Sequence, residues 1–153
     1  MPRPGGYYSG ALGGALPGAT VGAQGSQAAD LNCPAGVETV TGISSPLLLN
    51  EDGNYVIAMG CCLAIQLGAA APTALAIGLN GPALLGGSFD ILNVPPSRLV
   101  NNALLPLDLT LLVGDEAVAR GTYPLFLEIH PTAQAVTLKA GSTGAAFALH
   151  MQD

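Results

Sequence analysis

The stretch YVIAMGCCLAIQLGAAAPTALAIGL, from Tyr55 to Leu79, contains no charged residue. It is long enough to cross a bilayer, which takes ~20 apolar residues. Gly60, Gly68, Pro72 and Gly78 divide it into short pieces, however, and neither flank carries Lys or Arg to orient a membrane helix. The pieces follow period two. Tyr55, Ile57, Met59, Cys61, Leu63, Ile65 and Leu67 alternate with Val56, Ala58, Gly60, Cys62, Ala64 and Gln66. After a turn at Gly68 to Pro72, Leu75, Ile77 and Leu79 alternate with Ala74, Ala76 and Gly78. This pattern predicts a pair of strands, each with one large and one small face, in preference to a membrane helix.

The same alternation runs through the rest of the chain. Strands are expected at 37–43, at the short SPLLL before the NEDGNY turn, and at 89–94, 104–113, 116–120, 123–129, 135–139 and 144–151, with turn signals between them. Leu105, Leu107, Leu109, Leu111 and Val113 define one apolar face; Phe147, Leu149 and Met151, set against Ala146, Ala148 and His150, define another. No segment carries a helical period. The expected fold is all-β, an antiparallel jelly-roll sandwich over residues 37–153.

A strand apolar on both faces needs cover on both. Half of the 153 residues are hydrophobic, only 9% are charged and 21 are Gly, so little of the surface has the charge that keeps a domain soluble. The small faces, Ala58, Gly60, Cys62, Ala64, Ala74, Ala76 and Gly78, are therefore candidate subunit-interface residues, where backbones approach closely around a symmetry axis; the central pair of a thick monomeric core is the other reading. Residues 1–36 are Gly- and Pro-rich without alternation, and are expected as an extended arm. Arg3, Tyr7, Tyr8, Leu12, Leu16 and Val21 are the anchors it offers to a partner, or to its own trimer.

GNY opening an apolar strand, then ALAIGLNG, LLVGDEAVA and AVTLKAGSTGAAFALHM, resembles the trimeric C1q/TNF-like jelly roll found in bacterial collagen-like surface proteins and viral head proteins. The Gly-X-Y repeat of the collagen-like relatives is missing here. An acidic jelly roll with a Gly-rich arm is similar to the decoration, or cement, proteins of tailed phages. That resemblance implies a homotrimer that binds the major capsid protein on the exterior of an icosahedral virion, after assembly in the host cytoplasm. A trimeric head domain of a collagen-like surface or fibre protein is the alternative it leaves open.

The chemistry inventory is thin. Net charge is −6 with four basic residues, which leaves no electrostatic footprint for nucleic acid or an anionic membrane surface. Cys33, Cys61 and Cys62 are too few for a disulfide framework and read as small hydrophobes in a reducing compartment. The N-terminus, MPRPGGYYSGALGGALPG, lacks the unbroken apolar run of a signal peptide. His130 and His150 are expected opposite the apolar strand faces, solvated or hydrogen-bonded. Glu128 and His130 share a face, but a metal would need Asp108 or Asp90 brought in from elsewhere. Without a nucleophile motif or phosphate loop, no enzyme activity and no cofactor are expected.

Overall fold

The computed structural model describes residues 20–42, 44–80, 89–124 and 126–151. In chain order these form β1 (Thr20–Ser26), β2 (Leu31–Cys33), β3 (Thr39–Gly42), β4 (Leu47–Leu49), β5 (Gly53–Leu67) and β6 (Ala74–Asn80). They continue with β7 (Phe89–Asn93), β8 (Leu104–Val118), β9 (Gly121–Tyr123), β10 (Phe126–Thr132), β11 (Val136–Leu138) and β12 (Thr143–Met151). One 3-10 turn, Pro96–Arg98, precedes β8. Among the described residues no helix is long and apolar enough to cross a membrane.

All pairings are antiparallel and the architecture is a jelly-roll sandwich. The six-stranded sheet centres on β5, which carries β8 along one edge and both β12 and β11 along the other. β1 lies outside β12, and β2 outside β11. The second sheet runs β3-β10-β6-β7, and β4 pairs with β9 in a short ribbon. The odd-numbered faces of β5, β6, β8 and β10 meet in one core, where Ile57, Ile65, Ile77, Leu79 and Ile129 are fully buried. Each such side chain contributes roughly 1.5–3 kcal/mol by leaving water.

The uncharged stretch is two strands, as its period indicates, but they do not pair. β5 belongs to one sheet and β6, which pairs with β10 and β7, to the other. The connection between them is held by the segment before β8: Asn102 N donates to Gly68 O at 2.7 Å, and Ala71 N donates to Asn101 Oδ1 at 2.9 Å. Period two assigns residues to the two sides of a strand; it does not say which sheet the next strand joins.

Three further expectations are corrected. Thr20 to Cys33, expected in the arm, supplies β1 and β2, so the sheet begins well before residue 37. Arg3, Tyr7, Tyr8, Leu12 and Leu16 lie outside the described residues, and Val21 sits in β1. Gly114-Asp115 is no turn: β8 runs through it, and two residues are taken up in a bulge where pairing steps from Tyr55↔Glu116 to Ile57↔Val113. In β12 the core face is the small one. Ala146, Ala148 and His150 are buried, while Phe147, Leu149 and Met151 are only half-buried on the other side. β12 lies directly beside β5, whose Tyr55, Ile57 and Met59 already fill that part of the core.

Candidate functional site

The outward side of the six-stranded sheet is the surface the fold builds with most regularity. Strand register aligns its residues in three rows across four strands. The first row is Gly22, Phe147, Ala58 and Leu112; the second Gln24, Ala145, Gly60 and Thr110; the third Ser26, Thr143, Cys62 and Asp108. All of them except Leu112 line an open groove of about 1340 Å³. One end is apolar, lined by the half-buried Phe147 and Ala58, with Leu112, 68% exposed, across from Ala58 just outside the lining. The other is polar, and Asp108 is the one charged side chain in the rows.

Two glycines in this floor are not demanded by the fold. A Cβ on Gly22 would meet nothing within 4 Å, and one on Gly60 only Leu109 O at an ordinary 3.5 Å. Glycine in a strand costs roughly 0.5–1 kcal/mol relative to Ala, and marks places where another backbone or a ligand comes close. Cys62 is the exposed member of the three free cysteines; Cys33 and Cys61 are buried. The Asp108 carboxylate, hydrogen-bonded to the Cys62 thiol and adding like charge to its thiolate, pushes that thiol above its usual range. Burial pushes Cys61 up to about 11. Neither is set up as a nucleophile.

The expected interface residues are split between two surfaces. Ala58, Gly60, Cys62 and Ala64 share the outward side of β5. Ala74, Ala76 and Gly78 point outward from β6 in the opposite sheet, because the large faces of both strands enter the same core. The two sets are therefore on opposite sides of the sandwich, and one axis cannot gather both. On the β6 side the small residues are flanked by Val40, 53% exposed, and by the half-buried Phe126. The strand order there is β3, β10, β6, so Glu128 stands between Val40 and Gly78.

The two histidines have different settings. His130 is exposed on β10, near Glu128 as expected. The second carboxylate comes from Glu38, a residue the sequence reading did not single out: hydrogen bonding and like charge from Glu128 raise the Glu38 carboxyl above its ordinary 4.5. Asp108 belongs to the other sheet, and the Asp90 side chain lies outside the described residues. Among the described residues no three His, Cys, Asp or Glu side chains are grouped to hold a metal ion.

His150, expected to be solvated or hydrogen-bonded, is buried, and its Nδ1 has no hydrogen bond. It stacks on Tyr55 with ring centroids 4.7 Å apart, and Tyr55 Oη donates to Glu51 O at 2.8 Å. Glu51 Oε2 lies 3.2 Å from His150 Nδ1, but too far off line for a hydrogen bond, so that nitrogen is buried without one. Gly53 closes the cluster, since a Cβ there would run into His150 Nε2. This is a packed rim of the core.

Fold and surface together define a class: an antiparallel jelly-roll sandwich with a shallow groove on one sheet. No family model matches the chain, and no curated protein matches it. Among solved structures, a chain from infectious bursal disease virus, Gx strain, superposes with a TM-score of 0.52 at 11% identity, over 86% of this chain and 32% of that one. This chain thus spans about a third of that neighbour's length. The PRD1 vertex protein P5 gives a TM-score of 0.43 at 12% identity, covering 94% of this chain and 100% of that one. Eiger TNF from S. frugiperda gives 0.43 at 9%, covering 88% and 96%. The likeness is one of fold.

Proposed function

We propose that this chain is a structural, non-enzymatic virion protein. In this reading it forms a homotrimer on the exterior of an icosahedral phage head, assembled in the host cytoplasm, and reinforces contacts between major capsid subunits. The observation that carries the reading is the character of the two outward sheet surfaces. A free-standing sandwich clothes such surfaces in charge, whereas here the rows of the six-stranded sheet present Gly, Ala and an exposed Leu with Asp108 as their one charge, and the β6 side sets Ala and an exposed Val around Glu128 and His130. Both are suited to being covered. The jelly-roll fold, shared with a chain from a virus particle, is compatible with this role and does not by itself assign it.

Self-association is assigned to the β6 surface, around Ala74, Ala76 and Gly78, with Val40 one strand further on across Glu128. Residues 1–19, carrying Arg3, Tyr7, Tyr8, Leu12 and Leu16, reach toward neighbouring capsid subunits. Decoration of this kind acts by mass action, since a ligand that binds only the assembled shell stabilises that shell. Three copies on one trimer add avidity.

Sedimentation without detergent, followed by co-sedimentation with purified heads, tests the reading. The full chain and a deletion of residues 2–18, which spares β1, should both be trimers, and only the full chain should saturate the heads. Ala76→Arg should release monomers or aggregate. A monomeric full chain, or a deletion variant that decorates heads as well as the full chain, overturns this reading.

A further inference from the structure

We propose that, before any shell is met, the groove on the six-stranded sheet is occupied by the chain's own N-terminal segment, residues 1–19. This concerns the free protein and stands or falls independently of capsid binding.

The size of the groove limits what fits. Four strands ~4.8 Å apart and three rows ~6.8 Å apart span an area on the order of 400 Å². A stable protein–protein interface buries about 800 Å² per partner, so a second sandwich would be poorly held there. The concave floor, kept low by Gly22 and Gly60 where the fold itself leaves room for side chains, suits one extended backbone.

Continuity and polarity identify that backbone. Residues 1–19 lead directly into β1, whose Gly22, Gln24 and Ser26 form one margin of the groove. Going back from Thr20, the segment presents Leu16 and Leu12, then Tyr8 and Tyr7, and finally Arg3, its one charged side chain. Going from the Thr20 end, the groove presents Phe147 and Ala58 first and Asp108 last. Apolar meets apolar, and the single cation meets the single anion. Six residues along and three strands across put Asp108 about 25 Å from Thr20. The roughly 17 residues back to Arg3 reach up to about 57 Å, leaving slack for a reversal at Pro17-Gly18 or Gly13-Gly14. Tethering also gives the segment an effective concentration on the order of millimolar, which favours it over a second copy.

Cys62, in the polar row, reports occupancy. With Cys33 and Cys61 buried, a neutral maleimide should label Cys62 first. The full chain should label at least tenfold more slowly than the 2–18 deletion, at a rate independent of protein concentration. Gly60→Val should abolish that protection in the full chain without lowering the melting temperature, because Val favours strands and the site has room. The same substitution in the deletion background controls for any direct shielding of Cys62. Arg3→Ala should weaken protection more at low salt than at high salt. Equal labelling of full and deleted chains, both folded, overturns the proposal. So does protection that grows with protein concentration, which would assign the groove to a second copy.

Discussion

At the scale of single residues, Ser142 holds together two segments. Its buried Oγ accepts from Ala64 N at 3.1 Å and donates to Lys139 O at 2.9 Å, tying β5 to the β11–β12 turn. Ser142→Ala leaves the Ala64 amide without its partner and should lower stability by about 1–3 kcal/mol, read from urea unfolding. Glu38 carries a pH signature. Beside Glu128 its carboxyl is raised, so the folded chain keeps a proton that the unfolded chain releases more readily. The stability this represents is present below the ordinary value of 4.5 and is lost as pH rises through the raised one. Glu38→Gln should therefore melt higher than the parent at pH 7, and the gap should close by pH 4. The site is exposed and screened, so the difference should be only about 1–3 °C, and a lower melting temperature at pH 7 would contradict it.

At the scale of elements, β8 is a long strand paired only with β5 among the described residues. Ala64 spends its N–H on Ser142 and its C=O on Lys139, both away from β8. Pro106, its partner across the ladder, therefore turns its ring nitrogen and its carbonyl to the open edge, where Arg98 Nη2 donates to that carbonyl at 2.9 Å. Proline at this point blocks strand addition without costing a ladder bond. Pro106→Thr restores the edge N–H, and light scattering should show faster concentration-dependent association with little change in melting. Much of this level was legible in the sequence, because clean alternation in β5, β6 and β8 fixes which side of each strand enters the core. β12 was not legible, because both its faces are apolar and only the bulk of its β5 neighbours decides between them. β1 was hidden by its glycines and β2 by its length of three residues, since their order comes from pairing with β12 and β11 rather than from local preference. The groove escaped notice because its rows exist only once the register of four strands is known. Glu38 likewise reaches Glu128 only through the pairing of β3 with β10.

At the scale of the whole molecule, what sequence patterning supports is a sandwich, and what the register adds is a division of its two outer surfaces. One is a broad surface bearing the small residues of β6; the other is a groove with an apolar and an acidic end. They are separated by a core in which Leu and Ile from both sheets interlock, so the two proposed binding events would each have their own territory.

The position of β12 sets how this chain comes to exist at the ribosome. β12 follows every other described strand in sequence yet stands between β1 and β5, pairing Leu149 with Thr20 on one side and with Val56 on the other. At a synthesis rate of about 5–20 residues per second, β1 and β5 wait many seconds with an unfilled slot between them. Closure then depends on contacts across nearly the full length of the chain, which places folding among the slow, millisecond-to-second β topologies. A chain stopped before Thr143 should lack cooperative unfolding and bind chaperones, and a sharp melting transition in that truncation would refute the expectation. The sheet that carries the groove is thus completed only once β12 has emerged, whereas the strands of the β6 surface are all made before it.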